Sequence, residues 1–373
     1  MSIEKQRVLV TGANGFIGKN LLIRLGEQEN LETLPFIRGD SLELLESLVA
    51  KADVVVHLAG ENRPDDVEDF SRANVGLTTS LCSAIEGLGR DVPLIFASSA
   101  QAEYDNPYGQ SKLAAEQVIE EFTARTNNSS VIYRLVGVFG KFCKPNYNSV
   151  VATFCHNIAR EIPLQINDAN HTLQLAYIDD VADEVLRAIT NFKPGLVRGE
   201  IAPIYGITVG DLAQQVEAFQ NCRTSLVSEP VGTGLTRALY STFISYLPTE
   251  KFVYDLQGHA DDRGVFVEML KTPDCGQFSF FTVFPGITRG SHYHHSKTEK
   301  FLVVSGIVLM RFRHLVTGEV FEATLSSEKP QVMDTIPGWV HDITNIGPNE
   351  AIVMLWANEI FDRAKPDTTV GKV

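Results

Sequence analysis

Val8-Leu9-Val10-Thr11-Gly12-Ala13-Asn14-Gly15-Phe16-Ile17-Gly18 decides the reading of this chain, because an apolar run there breaks into three glycines spaced three apart. The run predicts a buried first strand, and the amphipathic stretch Lys19 to Leu25 predicts a helix, so the glycines fall in the strand-to-helix turn. Gly12 permits the turn, Gly15 lets the backbone approach a pyrophosphate, and Gly18 allows the helix to pack closely on the strand. The phosphates would then sit at the positive helix N-terminus. The expected fold is a doubly wound α/β domain that binds a dinucleotide.

Working outward, Thr33-Leu34-Pro35-Phe36-Ile37 predicts a second strand ending in Arg38. An acidic residue about twenty positions beyond the glycines grips a ribose 2′-hydroxyl, whereas an arginine accommodates a 2′-phosphate. Arg38 therefore favours NADPH over NADH, with Asp40 as the alternative ribose ligand. Asp53 to Gly60 (Asp-Val-Val-Val-His-Leu-Ala-Gly) predicts a parallel strand that delivers its C-terminal end to the cofactor, with His57 as a packed strand residue. Pro93 to Ser99 predicts a further strand ending in hydroxyls. Tyr108 and Lys112 open the next helix four residues apart, on one face, where the ammonium is expected to lower the phenol's pKa.

The 373 residues suffice for two domains, and 44% hydrophobic with 21% charged residues is the balance of a soluble globular protein. Thirty-two Lys and Arg against 46 Asp and Glu leave a net charge of −14, which disfavours nucleic acid and anionic membrane as partners. Neither a membrane span nor a signal peptide is legible, and the expected location is cytoplasmic. The five cysteines, Cys82, Cys143, Cys155, Cys222 and Cys275, lack CxxC pairing and read as structural.

Past Pro248 the texture changes. Residues 251 to 373 alternate short apolar runs with turn signals, among them Phe278 to Phe284, Phe301 to Val304, Ile307 to Phe312 and Ala351 to Trp356, which predicts an all-β sandwich or barrel. Within it, the strand period of two puts His292 and His294 on one face, Glu299 follows, and Pro337-Gly338-Trp339-Val340-His341 offers another imidazole. Three histidines and a glutamate make a divalent-metal cage whose donors suit zinc, manganese, iron or nickel; zinc is favoured where no redox chemistry is needed.

Residues 1 to about 245 resemble the extended short-chain dehydrogenase/reductases through Thr11-Gly12-x-x-Gly15-x-x-Gly18, His57-Leu58-Ala59-Gly60, Asn74, Ser99, Tyr108 with Lys112, and Tyr177-Ile178-Asp179-Asp180-Val181-Ala182. The resemblance implies a Rossmann-type domain with Tyr108 as proton donor, Lys112 on the nicotinamide ribose and the tyrosine, and Ser99 on the substrate oxygen. It also implies cofactor contacts from Gly12, Asn14, Gly15, Phe16, Ile17, Gly18, Arg38, Leu58, Ala59, Tyr108 and Lys112. Two departures stand out: only eight residues separate Ser99 from Tyr108, and Gly137 stands where nucleotide-sugar enzymes commonly carry asparagine. Lys141, Lys144 and Arg160 offer positive charge for a diphosphate.

Residues 246 to 373 resemble the cupins, which implies the ligand set His292, His294, Glu299 and His341; the second motif is one residue short between its proline and glycine. The pairing of domains resembles the CapF-type bifunctional enzymes of bacterial capsule and O-antigen synthesis, also through Asp105 to Gly109, Lys144 to Ser149 and Glu299 to Gly306. That resemblance implies a homodimer acting on UDP-2-acetamido-2,6-dideoxy-hexos-4-ulose, inverted at C3 by the cupin and reduced at C4 by residues 1–245. Chemistry orders the steps, since a C3 proton is acidic only while C4 is a ketone. His295, Lys300 and Glu299 are the acid/base candidates, and the sequence does not choose among them. The rival readings are a single-activity reductase or epimerase/dehydratase with a non-catalytic cupin, and an NADPH sensor without chemistry, which Tyr108 and Lys112 disfavour.

Overall fold

Continuous apolar runs form a sheet buried on both faces only when helices cover both, and that is how the N-terminal half folds. A computed structural model describes residues 5–63, 66, 68–261, 264–267, 269–271, 276–359 and 364–373. The chain divides into two compact units, one of residues up to Val138 with Gln174–Gly206, the other of Phe139–Leu173 with Ile207–Val373.

In the first unit six parallel strands lie in the order Leu31–Phe36, Gln6–Thr11, Val54–His57, Leu94–Ser99, Ser130–Leu135, Leu196–Gly199. Alternation divides each strand between two cores: Val8, Val10, Val54 and Val56 enter one, Leu9 and Val55 the other. The helix Phe16–Gly26 begins at Gly15, as the glycine pattern predicts. The helix Pro107–Thr126 starts where Asn106 accepts the Gly109 amide at 2.8 Å and Pro107 takes the first turn, a combination of cap and pre-set φ that holds Tyr108 at the helix entrance. This is a Rossmann-type doubly wound domain.

The second unit holds two five-stranded antiparallel sheets. One runs Val253–Asp255, Gln331–Asp334, Glu299–Ser305, Ala351–Ala357, Gln277–Val283, and the other Val320–Ser326, Ile307–His314, Trp339–Asn345, Thr288–Tyr293, Thr369–Val370. Phe301, Val303, Met310, Phe312, Val353 and Trp356 are buried, and the architecture is the cupin-like one expected.

The helices Val209–Ser225 and Gly234–Ser245 belong to this same unit. The expected division between residues 245 and 246 follows the change of texture; compactness divides the chain elsewhere. The physical reason is a set of long-range contacts: Arg223 pairs with Asp334, the Ser241 hydroxyl donates to the Ser296 carbonyl at 2.5 Å, and Phe252 packs edge-on against Phe321 and Trp339 at 5.2 Å.

Cys82, Cys155 and Cys222 are buried and Cys143 is half-buried, all as free thiols, and burial pushes Cys82 up to about 12 and Cys143 up to about 11. Cys275 lies outside the described residues. No helix among the described residues is long and apolar enough to cross a membrane.

Candidate active site and metal centre

Gly12 adopts φ +68°, and a Cβ there would lie 2.7 Å from the Ala59 amide nitrogen; a Cβ on Gly18 would strike the Gly12 carbonyl oxygen. Backbone, not flexible side chain, occupies both spaces, so only glycine fits. The turn therefore packs on Leu58-Ala59, where the Ala59 amide donates to Thr11 Oγ at 3.2 Å. Gly60 continues the contact, since its Cβ would lie 2.8 Å from Asn74 Oδ1 and 3.8 Å from Lys112 Nζ. Glycine turn, strand end and Lys112 thus share one edge of the sheet. His57 is a packed residue: its ring bridges Thr11 Oγ at 2.6 Å and Thr78 Oγ at 2.9 Å, and burial first, then Lys112, push it down to about 3.

At the end of the second strand Arg38 is exposed and pairs with Glu61, while the Asp40 carboxylate accepts the Ile37 amide at 2.8 Å. Asp40 is committed to its own turn and Arg38 reaches outward.

Ser99 ends its strand and caps a short 3₁₀ turn by accepting the Gln101 amide at 3.1 Å, and its hydroxyl is near enough to the Tyr108 phenol to favour the ionised form. Lys112 is buried, donates to the Ala97 carbonyl at 2.7 Å and lies 4.4 Å over the Phe96 ring. Burial pushes its ammonium down to about 8, against the pull of Glu116. The expectation that Lys112 lowers the phenol's pKa is corrected: burial raises Tyr108 above its ordinary value, opposed by Ser99, because the ammonium is held at Ala97. A phenol so placed keeps its proton at neutral pH.

In the second unit a cavity of about 300 Å³ is walled by Phe280, Phe281, Phe301 and Met310 and carries Arg289, with His292, Glu299 and His341 also lining it. His292, His294, Glu299 and His341 bring ligand atoms within 4.8 Å of one another. A bulge at Gly290-Ser291 aims His292 at His341 on the neighbouring strand; Gly290 and Ser291 have φ of +93° and +57°. His294 lies just past the strand end, with Nε2 3.1 Å from Glu299 Oε2.

Burial drives His292 down to about 4 and His341 well below its ordinary value, with His294 adding to both, so both imidazoles are neutral. Burial also raises Glu299, but His294 and Lys297 outweigh it and hold the carboxylate ionised. His341 is 3% exposed and neither of its ring nitrogens has a hydrogen-bond partner among the described residues. Buried orphan nitrogens are costly unless something ligates them. The donor set fits a divalent cation with imidazole and carboxylate ligands.

The remaining acid/base candidates are placed apart from this cluster. Lys300 points to the opposite face of its strand from Glu299, where Nζ bonds Asp334 at 2.6 Å and Tyr254 at 3.0 Å. Desolvation opposes the charge, yet Asp334 holds the ammonium well above its ordinary pKa. His295 is buried, its ring 5.6 Å from Tyr293 and its amide on Asp367 at 2.9 Å; neither it nor Lys300 lines the described cavity.

A model of the NAD dependent epimerase/dehydratase family matches residues 8–201, and one of the Polysaccharide biosynthesis C-terminal domain matches residues 259–369. The UDP-2-acetamido-2,6-beta-L-arabino-hexul-4-ose reductase of Pseudomonas aeruginosa is 51% identical over 362 residues, spanning 97% of each chain. The chain belongs to the NAD dependent epimerase/dehydratase family, in its CapF type. Among solved structures it is similar to the capsular polysaccharide assembling protein CapF of Staphylococcus aureus, at 40% identity and TM-score 0.67, covering 99% of this chain and 100% of that one. UDP-glucose 4-epimerase of Thermus thermophilus, solved with NAD, is 22% identical with TM-score 0.52 over 58% of this chain and 84% of its own, and shares the fold alone.

For this member of the CapF type, sequence reasoning missed Glu61, Lys297 and Asp367. Lys297 Nζ lies 3.2 Å from Glu299 Oε1, and Asp367 accepts three amides of the loop between His294 and Glu299. A lysine five residues into a histidine cluster is a faint signal; Asp367, over seventy positions away, carries none.

Proposed function

We propose that the chain is a bifunctional nucleotide-sugar enzyme: residues 246–373 invert C3 of UDP-2-acetamido-2,6-dideoxy-hexos-4-ulose, and residues 1–245 reduce the C4 ketone with NADPH. The product is UDP-2-acetamido-2,6-dideoxy-L-talose, a precursor of UDP-N-acetyl-L-fucosamine. The observation that carries the reduction is the half-buried, protonated Tyr108 phenol near Ser99, one helical turn from Lys112, which borders the loop that packs on the glycine turn. The Pseudomonas relative's name supports the substrate class. Arg38, reaching outward where Asp40 does not, supports NADPH. A cytoplasmic homodimer is the form that the resemblance supports.

NADPH supplies the hydride for C4. Ser99 orients the ketone oxygen, and Tyr108 gives its proton to that oxygen as negative charge develops there. Lys112, held at the Ala97 carbonyl and bordering Gly60, would bind the nicotinamide ribose. In the cupin unit His292, His294, Glu299 and His341 would hold a divalent ion, zinc by its donors, whose chemistry is to polarise the ketone oxygen. The apolar walls of the cavity offer a face for the sugar, and Glu299 is the acid/base candidate that lines it.

Tyr108→Phe is expected to lower reduction by roughly 10²–10⁴-fold while solvent deuterium still enters C3 of the substrate without NADPH. A loss of less than about tenfold would assign the proton to another group. Absence of deuterium uptake in the parent enzyme would leave a single-activity reductase with a non-catalytic cupin.

A further inference from the structure

The loop His294–Thr298 separates two of the four clustered donors, and one distant residue grips it twice. The Asp367 carboxylate accepts successive amides, those of His295 at 2.9 Å, Ser296 at 2.8 Å and Lys297 at 2.7 Å, and the Ser296 hydroxyl at 3.2 Å. The Asp367 backbone carbonyl bonds Nδ1 of His294. A carbonyl only accepts, so Nδ1 donates to it, and Nε2, 3.1 Å from Glu299 Oε2, is the ring nitrogen turned toward the cluster. Residues 369–370 then pair with His292 and Tyr293, and the Gly371 amide donates to the Ser291 carbonyl at 2.9 Å, fixing the strap beside a third donor.

We infer that Asp367 is a positioning residue for the metal centre: its carboxylate sets the loop that spaces His294 from Glu299, and its carbonyl sets the His294 tautomer. The inference rests on the metal-binding reading of the cluster. Groups that orient ligands in this way typically govern metal affinity about 10–100-fold.

The test uses the full chain and the metal ions alone. Zinc affinity is measured by competition with a chelator, and the visible spectrum of the cobalt(II)-loaded protein reports ligand geometry. Asp367→Ala is expected to weaken zinc about 10–100-fold and to change the cobalt spectrum, a change that loss of packing elsewhere would not produce. Asp367→Asn, which keeps the size and one acceptor oxygen but not the charge, is expected to fall between, and it carries the test if Asp367→Ala does not fold. Parent-like zinc affinity with an unchanged cobalt spectrum in the folded variants overturns the inference and leaves the metal reading standing. A parent protein that binds neither ion overturns both.

Discussion

Lys112 and Lys300 are both buried lysines, and their partners give them opposite behaviour. Lys112 bonds a carbonyl and sits over a ring face, with Glu116 too weak a counter-charge, so desolvation wins and its pKa falls to about 8; Lys300 has Asp334, so its charge is locked. If the charge of Lys112 supports reduction, kcat/KM for the ketone should decline as pH rises through about 8, and a flat pH profile up to 9.5 would remove Lys112 from the step. Unfolding would not mimic this decline. Between about 8 and the ordinary value of 10.5 the unfolded chain retains a proton that the folded chain has released, so Lys112 makes stability rise with pH there. Lys300→Met should behave as a structural change. Removing one partner of a buried pair typically costs about 3–5 kcal/mol, here moderated because Arg223 still reaches Asp334. Thermal unfolding and C3 exchange decide it: a stable variant that has lost exchange would return Lys300 to the chemistry.

At the scale of elements, the cluster of three histidines and Glu299 depends on a bulge. Gly290 has φ +93°, and a Cβ there would lie 3.2 Å from the His341 carbonyl oxygen and 3.3 Å from the Asp342 Cα. Gly290→Ala therefore both strains the backbone and presses on the strand that carries His341. We expect a destabilisation of about 1–3 kcal/mol together with weaker zinc binding, measured by calorimetry and chelator competition. Unchanged zinc affinity would show that the bulge does not aim His292. The N-terminal counterpart is the glycine turn, whose packing on Leu58-Ala59 ties the first strand to the loop bordering Lys112.

At the scale of the whole molecule, the helices Val209–Ser225 and Gly234–Ser245 form one compact unit with the β-sheets. A fragment of residues 1–245 would strip Arg223 of Asp334, Arg237 and Ser241 of Ser296, and Val231 of Asn358. It should therefore melt well below the intact chain even though the glycine turn, Ser99, Tyr108 and Lys112 all lie within it. NADPH binding by that fragment near 20 °C with an early thermal transition is the expected result. A fragment as stable as the full chain would show that these contacts contribute little.

Local patterns were sufficient wherever the physics is local. The glycine spacing, the buried strands around Val8, Val55 and Ile95, the change to alternating strands past Pro248 and the recurrence of histidines at period two are set by backbone sterics and side-chain periodicity within a few residues, so the sequence alone determined the two fold classes and pointed to both candidate sites. Tertiary structure alone decided which face Lys300 takes, that Asp40 closes its own turn while Arg38 pairs with Glu61, that Tyr108 is raised and not lowered, and that Asp367 grips a loop about seventy residues away. Each of these is a contact between distant segments or a balance of burial against charge, and neither quantity exists until the chain has closed on itself.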